Sequence, residues 1–184
     1  MASKTRTETR LHVVHCSLTH SRQDIGKRTI NKQQMKDGVY SDSGLTGYHT
    51  IIRRSGLVEL GRHLVVVGQH TLGWNDVSVA TCLVGGARRA RDNEGPPDFV
   101  DTDMMATNNY ELEQLESLSI VHMAFQQIWP TIMLVPASAL ANTPAPCMDL
   151  WRWQTEAMGY NDRLRFAQYK AALEAERDER EDVD

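Results

Sequence analysis

Cysteine, net positive charge and long apolar runs are what this chain has least of, and each shortage removes a class of protein. Its three cysteines, Cys16, Cys82 and Cys147, make no disulfide framework. So low a count suits a reducing compartment, where no bridges are expected. Lys and Arg number 20 against 24 Asp and Glu, a formal net charge of -4, so nothing in the charge calls for direct nucleic-acid or membrane contact. No segment approaches the roughly 20 apolar residues that span a bilayer. The first ten residues, Met1 to Arg10, are polar where a secretory leader has an apolar centre. These absences lead to the expectation of a cytoplasmic location.

What is present is ordinary for a globular protein: 184 residues, 41% hydrophobic and 24% charged, enough for one domain with a sizeable core. Leu11 to Cys16 reads as a short buried strand with His15 near its end. Asp24 is placed to cap a helix from about Ile25 to Lys36 that Gly38 closes, and a Ser/Gly loop follows from Ser41 to Gly47. Tyr48 to Arg54 and Leu57 to Leu60 flank Ser55-Gly56 as a hairpin, and Val77 to Val84 is a further strand. From Ala87 to Asn108 the chain is polar and turn-rich around Gly95-Pro96-Pro97, the composition of a long surface loop. Asn109 opens a helix with Leu112, Leu115, Leu118, Val121 and Phe125 at helical spacing, which Pro130 stops. Thr131 to Val135 is a strand, and Asp149 caps a short helix carrying Trp151 and Trp153. Asn161 to Glu181 is helical with a weak stripe at Phe166, Tyr169 and Leu173, ending in an acidic tail. The alternation predicts a single α/β domain with one mixed central sheet flanked by helices, and an extra C-terminal helix. Its expected division is a polar arm at 1–9, the domain proper at 10–158 with the 87–108 insertion, and a helix and tail at 159–184.

Three side chains carry chemistry at places where loops and strand ends expose them. His15 ends a buried strand, His70 lies in the glycine-flanked loop Val67 to Asn75, and Cys147 stands between Pro146 and a helix start. Imidazole and thiolate are both zinc ligands, and catalytic zinc takes three protein ligands and an open position for water. Each also has an inert reading, a satisfied histidine or a small buried thiol.

The surrounding strings bear on that choice. Val14-His15-Cys16-Ser17, Gly47-Tyr48-His49-Thr50-Ile51-Ile52-Arg53-Arg54, Val67-Gly68-Gln69-His70 with Gly73-Trp74-Asn75, and Val79 to Gly86 occur in one order. Together they resemble the type-2 N-acetylmuramoyl-L-alanine amidase and peptidoglycan-recognition family, most closely the amidase-type lysozymes of short-tailed bacteriophages. Ser117 to Val135 resembles its late helix and strand, and Cys147 with Asp149 to Trp153 its closing segment. The resemblance covers residues 10 to 155. It implies cleavage of the amide between muramic acid and L-alanine. Zinc would polarise the carbonyl and bring its bound water to a pKa of about 7. His15 and Cys147 are then expected as metal ligands and Tyr48 as the catalytic side chain, with His49, His70 and Asn75 along the cleft. A bacteriophage origin makes the host cytoplasm the expected location.

The pattern breaks at two functional positions. The family's second histidine ligand stands eight or nine residues before the cysteine, where this chain has Ser138 and Ala139, and no histidine follows His122. Ala145 replaces the Lys or Thr two residues before the cysteine, and Gln33-Gln34 replaces a Trp-His pair. Zinc, expected for the family, is therefore expected to be absent or weakly bound here, unless Asp149, His70 or His49 completes the site. The expectation is a catalytically degenerate homologue acting as an interaction scaffold. Its partner would be a phage or host protein, RNA polymerase among them by analogy with related phage lysozymes, or a peptidoglycan muropeptide. The alternative is an active endolysin with an atypical metal site.

Overall fold

The computed structural model describes residues 4–36, 46–89 and 104–181. The elements are β1 (Leu11–Cys16), β2 (Thr19–His20), α1 (Lys27–Lys36), β3 (Thr50–Ile52), β4 (Val58–Leu60), β5 (Ser78–Leu83), β6 (Gly86–Arg89), β7 (Met104–Ala106), α2 (Leu112–Ile128) and β8 (Met133–Pro136). A 3-10 turn (Ala137–Ala139), α3 (Leu150–Met158) and α4 (Arg163–Glu181) follow. This is the expected mixed α/β architecture. None of the helices among the described residues is long and apolar enough to cross a membrane.

The main sheet runs β4-β3-β5-β1-β8. β1 sits between two parallel neighbours, with Leu11 opposite Ser78 on one side and Met133 on the other. Every residue of β1 and β5 is buried, as parallel strands covered on both faces must be. β3 and β4 form the expected hairpin, Ile52 opposite Val58, and Gly56 supplies the positive φ of its turn.

Helix α2 lays Leu118, Val121 and Phe125 on Val14, Ile52, Val79 and Leu83. Each such buried side chain contributes about 1.5–3 kcal/mol. A second cluster joins Leu11, Val13, Ala80 and Val135 to Phe166 of α4, with Trp151 of α3 packed against it. At the other end, Ile30 of α1 covers Ile51, Cys82 and Val84. β8 is an edge strand, and side chains close that edge. Asp162 accepts the Leu134 N–H at 2.9 Å, and the Trp151 indole donates to the Leu134 carbonyl at 3.2 Å. An edge so covered cannot recruit another strand.

Several local expectations change. Asp24 does not cap α1: its carboxylate binds the Arg53 guanidinium at 2.8 Å and the Arg54 N–H at 3.0 Å. Glu59 of β4 caps it instead, accepting the Lys27 N–H at 2.6 Å, because the hairpin brings a carboxylate to the helix start that no local pattern announces. Where a loop is expected throughout 87–108, the two ends pair as the antiparallel β6 and β7, and β6 also pairs with β2. Asn109 does not open α2. Its side chain instead accepts the Gly86 N–H and donates to the Ala87 carbonyl, and the helix begins at Leu112. Asp149 does cap α3, accepting the Arg152 N–H at 3.0 Å. The Gly38 stop, positions 41–45 of the Ser41 to Gly47 loop, and the 90–103 stretch with Gly95 and Arg91 lie outside the described residues.

Candidate functional site

The C-terminal end of β1 delivers two adjacent side chains, His15 and Cys16, to different partners. His15 is buried, and its Nε2 lies 3.0 Å from the Thr71 hydroxyl. The same hydroxyl is 3.1 Å from His70 Nδ1, so one threonine links the two imidazoles, whose ring centres are 5.4 Å apart. Asn75 holds this loop in shape: its Oδ1 accepts the N–H groups of both His70 and Thr71 at 2.9 Å. Tyr48 packs 5.2 Å from the His15 ring.

Burial sets the charge state of these groups. Desolvation pushes His15 down to about 4. It also pushes His70 well down, with His15 and His49 adding to the effect. Tyr48 is held well above its ordinary range, again by burial first. At neutral pH the site is thus two neutral imidazoles and a protonated phenol, a hydrogen-bonding surface without formal charge. Beside it lies a cleft of about 240 Å³ lined by Cys16, Gln33, Gln34, Tyr48, Gln69 and His70.

His49 takes no part in that surface. Its Nδ1 accepts the Ala80 N–H at 3.0 Å, which leaves Nε2 to donate to the Val66 carbonyl at 2.9 Å. Both nitrogens are spent inside the fold, with the Arg6 guanidinium also 2.9 Å from Nε2, and burial lowers its pKa to about 3.

Cys147 is held in a left-handed conformation, φ 63°, with its N–H on the Pro144 carbonyl at 2.7 Å. Its sulfur faces Cys16, Sγ to Sγ 3.4 Å. Ala139 and Cys147 pack against one apolar cluster that includes Ala137 and Ala145, while Ser138 is exposed. Neither Ser138 nor Ala139 carries an imidazole, carboxylate or thiol. Asp149 is committed to its helix cap, and among the described residues no group of three or more His, Cys, Asp or Glu side chains can hold a metal ion. The residues present do not fit a catalytic zinc.

Sequence reasoning singled out His15, Tyr48, His70 and Cys147 but passed over Thr71 and Cys16. Each stands next in sequence to a histidine it did select, and that adjacency was the available signal.

No family profile matches the chain. The endolysin of Enterobacteria phage K11 is 34% identical over 148 residues, covering 80% of this chain and 87% of that protein. Among solved structures, the N-acetylmuramoyl-L-alanine amidase LysC from Clostridium intestinale superposes with a TM-score of 0.63 at 16% identity, covering 85% and 89% of the two chains. A chain from the ectodomain complex of peptidoglycan recognition proteins LCa and LCx with bound tracheal cytotoxin gives 0.60 at 14% identity, covering 88% and 90%. With a third of its residues shared across most of both lengths, and with this sheet and helix arrangement, the chain belongs to the bacteriophage endolysin family and has the amidase and peptidoglycan-recognition fold.

Proposed function

We propose that this chain is a non-hydrolytic member of the endolysin family that binds a peptidoglycan muropeptide in the cleft beside Tyr48 and His70. The observation that carries the reading is that the Cys147 sulfur faces Cys16, and that among the described residues no group of three His, Cys, Asp or Glu side chains converges around it. A site with two ligands holds zinc poorly and leaves its water unplaced. Ala145 offers no donor to an oxyanion, a loss worth about 10² to 10³ in rate on its own.

The cleft keeps what binding requires. The exposed Gln33 amide and the Gln69 Nε2 amide line it and can bond an amide-rich stem peptide, while the Gln34 and Gln69 side-chain oxygens are held by Thr46, Gly47 and Arg62 and shape its wall. The names of fold neighbours, an amidase of N-acetylmuramoyl-L-alanine and peptidoglycan recognition proteins, are consistent with that ligand class.

A protein partner, RNA polymerase in particular, is the second reading. Leu112, Ile120 and Met123 favour it, lying exposed on one side of α2 where a solvated helix would carry polar groups.

Calorimetric titration with purified muropeptides, beside metal analysis and cell-wall clearing, tests the proposal. Saturable binding without clearing, and zinc far below one per chain, is the expected result. Flat titrations would remove the muropeptide. Stoichiometric zinc with clearing that Cys147→Ala abolishes would establish an active endolysin.

A further inference from the structure

We propose that Cys16 and Cys147 are a reversible dithiol–disulfide pair, a redox modification site that joins the end of β1 to the turn preceding α3. The two sulfurs are 3.4 Å apart although the residues are separated by 131 positions. A bond would bring them to about 2.05 Å, a small displacement of one side chain.

Both ends are held in place. Cys16 is the last residue of a strand paired with β5, opposite Leu83. Cys147 owes its direction to its left-handed backbone and to the Pro144 carbonyl, while the Tyr110 hydroxyl donates to the Pro146 carbonyl beside it. An oxidant has a path to the pair, since Cys147 is partly exposed and Cys16 lines the cleft. Cys82 also borders the cleft but is fully buried, and its sulfur donates to the Leu83 carbonyl, at 3.9 Å.

The oxidant is a low-molecular-weight disulfide. The Cys16 thiolate, which the neighbouring Cys147 S–H favours, attacks one of its sulfurs from the cleft, forming a mixed disulfide and releasing one small thiolate. The Cys147 thiolate then attacks the Cys16 sulfur, forming the intramolecular bond and releasing the second. Two protein thiols are oxidised, one small disulfide becomes two thiols, and the two protons pass to the departing thiolates. In a reducing compartment the pair stays open; in an oxidising one it closes. Closure fixes one wall of the cleft. The inference does not depend on whether the chain binds or cleaves peptidoglycan.

The test treats the native full-length chain with oxidised glutathione, blocks remaining thiols with a maleimide, and maps tryptic peptides by mass. The expected result is a chain lighter by two hydrogens, with the Leu11–Arg22 peptide joined to the one carrying Cys147, reversed by dithiothreitol. The melting temperature of the oxidised form should rise by roughly 5–10 °C. Cys147→Ser should give no joined peptide. Glutathione adducts without a link, thiols that stay unreacted, or a link through Cys82 would each overturn the proposal.

Discussion

His12 and His122 meet Nδ1 to Nδ1 at 3.1 Å in the core between β1 and α2, and only one of the two nitrogens can carry the proton. His12 Nε2 lies 2.7 Å from the Thr81 hydroxyl, which is 2.6 Å from Thr50. His122 Nε2 has no partner among the described residues. The arrangement that leaves no buried N–H idle puts the proton on His122 Nδ1, donating to His12, and a second on His12 Nε2, donating to Thr81. His12 cannot accept a further proton without breaking this chain, and a proton on His122 Nε2 would be buried with no acceptor among the described residues.

Acid should therefore unfold the protein early. Burial lowers His122 to about 4 and His49 to about 3, and pushes His12 well down, with His122 adding to it. Unfolded histidines titrate near 6.5, so below that pH the unfolded state binds more protons and gains stability. The neutral-histidine contribution is complete above pH 6.5 and is lost progressively down to about 3, where His49 titrates in the fold. A melting temperature lower at pH 5 than at pH 7 by roughly 5 °C or more is expected. A flat profile over that window would contradict it.

Phe125→Ala should cost about 3–5 kcal/mol in urea unfolding. The ring is buried in the α2 cluster and meets His12 edge-on at 4.8 Å, so its loss opens a cavity against the histidine chain. A cost under about 1 kcal/mol would show that α2 is not docked as described.

Asp162→Ala should loosen α4. The carboxylate accepts from Leu134 N–H and Gln154 Nε2 at 2.9 Å and from Arg165 at 2.6 Å. Removing it leaves a buried amide unpaired, at about 2–4 kcal/mol. Limited proteolysis should then cut within α4 well before the sheet, and unchanged cleavage would refute the tether.

Gly47→Ala tests the wall of the cleft. A methyl group there would stand 2.1 Å from the Gln69 carbonyl, and Gly47 already binds the Gln69 N–H through its own carbonyl at 3.1 Å. The loop bearing His70 and Thr71 must move, at about 1–3 kcal/mol. Muropeptide affinity should fall with the melting temperature, and retention of both would mean the loop has slack.

The fold was legible where burial dominates. Leu11 to Cys16, the Val79 strand and the Leu118–Phe125 stripe are apolar at the spacing of their elements, and they fall where expected. What was not legible depends on partners distant in sequence. Asp24 carries a cap signal, yet the hairpin delivers Arg53 to it and Glu59 to the helix. Residues 87–108 look like a loop because β6 and β7 are short and Gly-, Arg- and Met-bearing, and their stability comes from pairing with each other and β2. At the site, Ala139 and Ala145 stand out only through the resemblance, which implies a histidine and a Lys or Thr at those places. That Cys147 turns onto Cys16, and that His15 settles on Thr71, depends on loop conformation that no spacing encodes.

The placement of β1 also bears on synthesis. This strand leaves the ribosome before either of its neighbours, which lie far downstream, at Ser78–Leu83 and Met133–Pro136. Until translation reaches the second of them, a segment that is fully buried in the fold has at least one unpaired edge, the condition under which nascent chains stick to one another or to chaperones. Yield of soluble protein should therefore respond more to elongation speed and chaperone supply between those two segments than to the final stability of the folded state.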